Sequence, residues 1–153
     1  SVTLRWISDT GSRDCQHLHM QNELIIRNSI ELFRYSASEI MAMIADGNYC
    51  DIILTDGSVE NVPFKLGHIE KRIGAQLGSY SSNFIRVGRS HVFNVEYICN
   101  INITQRRVVL RSPSKNKKVK VDNIVVEGLK ALKQYLERNL DNEKEDNDDV
   151  EER

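Results

Sequence analysis

The run from Phe84 to Asn94 combines groups that can bind a ligand with apolar residues at both ends. Arg89 and Ser90 follow Gly88 in the middle of this run. Guanidinium and hydroxyl groups donate hydrogen bonds to phosphates and to the edges of nucleic-acid bases. The flanking apolar pairs are typical of two buried strands joined by a bend. The run therefore predicts a binding loop between two strands.

Charge is distributed unevenly along the chain, although the formal net charge is only −1. Residues 86–120 hold nine basic residues and one acidic residue, a net charge of +8, whereas residues 140–153 hold eight acidic and two basic residues. A concentration of positive charge favours polyanionic partners. A solvated face of sheet ends and turns also produces such a run, so charge alone leaves both interpretations open.

Composition and length exclude several classes of protein. The 153 residues provide room for one domain and a small appendage. No apolar run reaches the roughly 18 residues of a membrane span, so we expect no membrane association. We also expect no secretion signal, because no leader with an apolar core and a cleavage site opens the chain. The three cysteines are widely spaced, which argues against a disulfide framework and favours the cytoplasm.

Cys15, His17 and His19 are the only candidates for metal ligands at close spacing. They alternate along the chain, so on a strand they would share one face and could bind zinc or copper. A fourth ligand is missing, and no second cluster of cysteine and histidine follows. A surface strand or tail is the more common outcome for such a pattern, and we predict no metal or other cofactor.

The pattern of apolar residues predicts strands along most of the chain and two helices. The first helix follows from Leu66, Ile69, Ile73 and Leu77, and the second runs from Val125 to Leu140, with Asp122-Asn123 as its N-cap. The predicted strands are Leu24–Arg27, Ile30–Tyr35, Ile40–Ala45, Tyr49–Leu54, Val59–Phe64, Tyr97–Thr104, Arg107–Arg111 and Lys118–Val121, in addition to the two that flank the central loop.

We therefore predict a mainly β fold of antiparallel sheets with a central helix and a C-terminal helix. Residues 24–139 form the predicted domain, and residues 1–23 form a poorly defined N-terminal extension. Residues 140–153 are acidic and poor in apolar residues, which predicts a disordered tail.

The order of these features resembles the LytTR DNA-binding domain family of bacterial transcription regulators. The resemblance spans roughly residues 24–138 and includes the Asp46–Tyr49 turn, the Asp56-Gly57 hairpin and the helix after it. The Phe-x-Arg-x-x-Arg-Ser and Val-x-Asn spacing between Phe84 and Asn94 is its most specific part. The resemblance implies an elongated β fold that reads double-stranded DNA with loops in successive major grooves. It also implies a role in signal transduction, as in response regulators.

Three places are carried over from the family as DNA contacts. They are Asn48-Tyr49-Cys50, then Arg89 on a base with Ser90 on a phosphate, then the approach to the last helix from Lys120 to Asn123. An arginine can hold a guanine through two hydrogen bonds, and Asn48 can pair with adenine in a similar way. Further cations suit phosphates, which position a protein without specifying sequence: Arg106, Arg107, Lys117, Lys118 and Lys120.

The chain departs from the family pattern in two places. Gly88 stands where many members have histidine, and Asp122-Asn123 stands where members commonly have Ser-Arg. Asp122 next to a phosphate would be repelled, which favours the N-cap role for it. Arg86 lies between Ile85 and Val87 on a predicted strand, so we interpret it as a structural ion-pair partner rather than a base contact.

Other functions remain open from the sequence. The alternative is a non-catalytic interaction or regulatory module that uses the same fold and has lost DNA binding. Charge reversal between Arg86 and Lys120 would discriminate this module from a DNA-binding regulator. An enzyme would need a thiol–imidazole pair from Cys50, Cys99, His68 and His91, but none of these has the context of an activated nucleophile.

The resemblance further implies paired direct-repeat sites on DNA, each bound by one copy of the chain, and an upstream signalling partner.

Overall fold

The computed structural model describes residues 22–112, 117–138 and 140. The predicted metal ligands Cys15, His17 and His19 lie outside these residues, as does nearly all of the predicted extension and tail. The described elements are β1 (Glu23–Arg27), β2 (Leu32–Ser36), β3 (Ile40–Asp46), β4 (Tyr49–Leu54), β5 (Val59–Val62), α1 (Leu66–Gln76), β6 (Phe84–Val87), β7 (His91–Asn94), β8 (Ile98–Asn102), β9 (Arg107–Ser112), β10 (Lys117–Val121) and α2 (Val126–Glu137).

The described strands form three antiparallel sheets. The largest has the order β5-β4-β3-β7-β6, with β3 at its centre. β1 pairs with β2, and β9 lies between β8 and β10 in a three-stranded sheet. The prediction of a mainly antiparallel β fold with a central and a C-terminal helix is confirmed.

The five-stranded sheet is buried on both faces. One face packs with α1 and the β1–β2 hairpin, through residues such as Met43, Ile52 and Ile69. The other face packs with α2 and the three-stranded sheet, through residues such as Phe93, Leu110 and Leu129. A register shift between Ile40 and Ala42 places both Met41 and Ala42 on this second side. Burial on both sides explains why β3 is apolar along nearly its whole length.

The connection between β1 and β2 is longer than the predicted two-residue turn. The side chain of Asn28 accepts hydrogen bonds from the backbone N–H groups of Ile30, at 2.8 Å, and Glu31, at 2.7 Å. The backbone N–H of Asn28 also donates to the Glu31 carbonyl. These local bonds close a turn that includes Ile30 and Glu31, so β2 begins only at Leu32.

The start of the last helix also differs from the prediction. α2 begins at Val126 with Val125 in the N-cap position, and no side chain caps it. Asp122 instead accepts a hydrogen bond from Nε of Arg107 at 2.5 Å. Asn123 adopts a left-handed backbone conformation with φ of 62°. The predicted Asp122-Asn123 N-cap is therefore wrong, because both residues belong to the loop before the helix.

Asn94 closes the central hairpin by tying β7 to two neighbouring segments. Its amide is fully buried and donates to the Ile40 carbonyl at 2.9 Å and to the Tyr80 hydroxyl at 3.2 Å. Its oxygen accepts from the backbone N–H of Glu96 at 3.1 Å. This network accounts for the asparagine at the end of the motif.

We expect Asn94→Ala to lower the free energy of unfolding by about 2 kcal/mol, because it leaves the buried Ile40 carbonyl without this donor. Urea denaturation measures the loss, and Asn100→Ala is the control, because Asn100 is exposed on β8. Equal stability of the two variants would contradict this role.

Candidate nucleic-acid interface

Two exposed turns lie side by side at one end of the five-stranded sheet. The β3–β4 turn contains Gly47 and Asn48, and the β6–β7 turn contains Gly88, Arg89 and Ser90. They are held together because the Ala45 N–H donates to the Ser90 carbonyl at 2.8 Å. The structure thus brings two of the three predicted contact places to one edge.

The third predicted place joins them through the loop before α2. The Ile124 N–H donates to the carbonyl of Arg106 at 3.3 Å, which links this loop to the β8–β9 turn. A groove of about 410 Å³ runs between this loop and the β6–β7 turn. Its lining residues are Val87, Gly88, Arg89, Ser90, His91, Asn123 and Val125. We call the surface formed by residues 47–49, 88–90, 103–106 and 122–125 the loop end.

Two glycines allow α2 to approach the central hairpin. Gly88 has φ of 66°, and a Cβ atom there would lie 2.6 Å from Cγ2 of Val125. A Cβ atom on Gly128, in the first turn of α2, would lie 2.8 Å from Cγ1 of Val87 and 3.0 Å from the Gly88 nitrogen. The left-handed backbone and this close contact are the physical reasons that position 88 requires glycine.

Arg86 holds the β6–β7 turn through its side chain. Its guanidinium forms an ion pair with Glu70 of α1. It also donates to the Arg89 carbonyl at 2.8 Å and to the Gly88 carbonyl at 3.3 Å. The interpretation of Arg86 as a structural ion-pair partner is confirmed, and its bonds to the turn add a role that the sequence pattern did not reveal.

The prediction that Cys50 contacts DNA is wrong. The side chain of Cys50 is fully buried and belongs to the core between the central sheet and α1. Strand alternation is the cause, because Tyr49 faces solvent and the next residue must face the core. Burial also raises the pKa of the Cys50 thiol to about 12, which keeps it protonated and unsuited to nucleophilic catalysis.

His91 contributes no charge to the groove near neutral pH. Its ring is buried and stacks on Phe93 with centroids 5.8 Å apart. Burial lowers the pKa of His91, because the charged form is disfavoured away from water. Cationic character in this groove therefore comes from Arg89.

The remaining predicted cations divide between the two ends of the three-stranded sheet. Arg106 is exposed at the loop end, and Lys120 is exposed one residue before the end of β10. Arg107 is held by Asp122 and also donates to the Gln105 side chain at 3.4 Å. Lys117 and Lys118 begin β10, roughly 13 Å along the strand from Val121. Lys117 lies close to Gly57 in the β4–β5 turn, which belongs to the opposite end.

Val125 is a groove residue that the sequence analysis missed as a candidate contact. It is apolar and occupies the N-cap position, yet 49% of its surface is exposed. The signal in the sequence is weak, because Val125 fits the apolar spacing of α2 and is therefore predicted to lie in the core.

Within the described residues, no group of three potential ligands can hold a metal ion. No helix in those residues is long and apolar enough to cross a membrane.

Comparison with known proteins gives similarities among solved structures. No family model matches the chain, and no curated protein is significantly similar to it. Among solved structures, the chain is similar to the LytTr DNA-binding domain of a methyl-accepting/DNA response regulator from Bacillus cereus. The TM-score is 0.45 at 16% identity, and the match covers 78% of this chain and 97% of that chain.

Proposed function

We propose that this chain is a transcription regulator that binds double-stranded DNA and uses loops to read the base sequence in the major groove. The observation that carries the proposal is the grouping of Arg89, Ser90 and Asn123 around one groove. Arginine and asparagine are the side chains that form bidentate hydrogen bonds with guanine and adenine. Turns of this size fit a major groove that is about 12 Å wide.

In this proposal the loop end supplies the base contacts that give sequence specificity and phosphate contacts that position the chain on the duplex. Arg89 binds a guanine, Ser90 binds a phosphate beside it, and Asn48 and Asn123 are the candidates for adenine. Arg106, in the β8–β9 turn, and Lys120, on β10, bind phosphates near the base contacts. Arg107 supports the loop through Asp122, whose negative charge it neutralises. Lys117 and Lys118 reach phosphates only where the duplex extends beyond the loop end.

Asp122 is compatible with DNA binding, although a lone carboxylate close to DNA would be repelled by the phosphates. The ion pair with Arg107 offsets its charge within the loop. The left-handed conformation of Asn123 then turns the chain into the groove beside Arg89.

The family resemblance further leads us to propose direct-repeat operators with one copy on each repeat, and an upstream signalling partner.

Selection from a pool of random duplex DNA, followed by binding measurements over a range of salt, tests the proposed function. We expect an enriched short motif and a log–log salt slope of about −0.9 for each phosphate neutralised. Salt-sensitive binding without a motif would reduce the function to non-specific DNA association. No binding would favour the alternative, an interaction module that uses this fold for a protein partner.

Arg86→Gln tests whether the turn must be held in place for binding. We expect about three- to fivefold weaker affinity for the enriched duplex, because the carbonyls of Gly88 and Arg89 lose their donors. The fold should change in stability by less than about 1 kcal/mol, since the ion pair with Glu70 lies at the surface.

The matched control is Arg34→Gln, which removes an ion pair with Glu23 on the β1–β2 hairpin. We expect the control to bind the duplex as the wild-type chain does. Arg86→Gln binding with unchanged affinity would show that the turn keeps its conformation without Arg86.

A further inference from the structure

Val125 contributes an exposed apolar surface to the groove beside Arg89. It lines the groove together with Arg89, Ser90 and Asn123, and about half of its surface is exposed to solvent. Exposed single apolar residues are common in proteins and need no explanation by themselves. The position of Val125 among candidate base-binding groups is what distinguishes it.

The backbone around Val125 is arranged to hold this side chain in one place. Its Cγ2 methyl lies in the gap between Gly88 and Gly128, where a side chain on either glycine would collide with it or crowd it. A β-branched side chain also has few accessible rotamers. The rest of the side chain is therefore presented to the groove as a rigid surface.

Valine is also an unfavourable choice for the start of a helix. Serine, threonine, aspartate and asparagine stabilise the N-cap position, because their side chains accept hydrogen bonds from the first turn. In α2 no side chain caps the helix, so this stabilisation is absent.

We infer that Val125 is a specificity-determining residue that contacts the 5-methyl group of a thymine next to the guanine bound by Arg89. Of the base edges in the major groove, only thymine offers a methyl group, and apolar side chains recognise it. The inference rests on the proposed function and assigns a thymine to one position of the operator.

Replacement of single thymines by uracil tests this contact, because uracil lacks the methyl group and keeps every hydrogen-bonding group. The probe is the duplex that the wild-type chain enriches from the random pool. We expect the wild-type chain to bind about three- to fivefold more weakly when one particular thymine is replaced, as burial of one methyl group predicts.

Val125→Ser provides the second arm of the experiment. It should bind the thymine duplex about three- to fivefold more weakly than the wild-type chain and should show no further loss with uracil. Serine favours the N-cap position, so the variant should unfold at the same or a higher urea concentration. Val59→Ser is the control, since Val59 is 55% exposed on β5, outside the loop end, and should retain full sensitivity to the methyl group.

Equal loss with uracil in the wild-type chain and in Val125→Ser would overturn the inference. So would uracil having no effect at any thymine, or a motif with no thymine beside the guanine. These outcomes leave the proposed function intact, because a motif was still selected. A wild-type chain that selects no duplex contradicts both proposals.

Discussion

Gly88→Ala is expected to lower the free energy of unfolding by about 2–5 kcal/mol. A non-glycine residue in the left-handed region costs about 1–2 kcal/mol. The new methyl group must also displace Val125, whose Cγ2 would lie 2.6 Å from it, and such overpacking costs about 1–3 kcal/mol. The displaced loop should weaken binding to the enriched duplex as well. Urea denaturation measures the stability, and a duplex titration measures the affinity.

Gly47→Ala is a matched control for the backbone contribution. Gly47 has the same φ of 66° but no atom within 4 Å of an added Cβ, so only the conformational cost of about 1–2 kcal/mol applies. The double variant Gly88→Ala with Val125→Ala should recover the steric part of the loss, because the colliding methyl group is gone. If Gly88→Ala is no less stable than Gly47→Ala, the close contact between α2 and the hairpin is not a constraint on the fold.

Arg89→Ala is expected to weaken binding to the enriched duplex about 10- to 100-fold. A bidentate arginine–guanine contact contributes about 1–3 kcal/mol of discrimination, and each 1.4 kcal/mol is tenfold in affinity. Repeating the selection with this variant should relax one guanine position and leave the rest of the motif. The fold should keep its stability, because Arg89 is exposed in the turn.

Arg111→Ala controls for the loss of one positive charge. Arg111 is exposed on β9, opposite Lys118 in register, and therefore lies away from the loop end. We expect its motif to be unchanged, with at most a uniform loss of affinity. If the two variants lose affinity equally and neither changes the motif, Arg89 acts only through charge.

The strand and helix pattern could be predicted from the sequence because it depends on local periodicity. β4 has the predicted limits, and the central hairpin forms around Arg89 as expected. The β1–β2 loop and the start of α2 could not be predicted, because side-chain bonds of Asn28 and Asp122 determine them. Such bonds compete with secondary structure and leave no trace in apolar spacing.

The candidate site of the structure includes the central residues that the sequence predicts, but its margins differ for a similar reason. Arg89 and Ser90 stand out as polar residues between apolar strands. The burial of Cys50 follows from alternation, but a list of contacts carried over by position ignores which face each residue occupies. The separation of Lys117 from Arg106 depends on how β9 and β10 pair, and Val125 becomes visible only through Gly88 and Gly128 in space.

Substitution of 7-deazaguanine for each guanine of the enriched duplex tests the central claim most directly. This analogue lacks only N7, an acceptor in the major groove that an arginine uses to hold guanine. We expect the wild-type chain to lose affinity at one particular guanine, and Arg89→Ala to bind the normal and substituted duplexes equally. An equal loss in both proteins, or no loss at any guanine, would contradict reading of the major groove by the loop end.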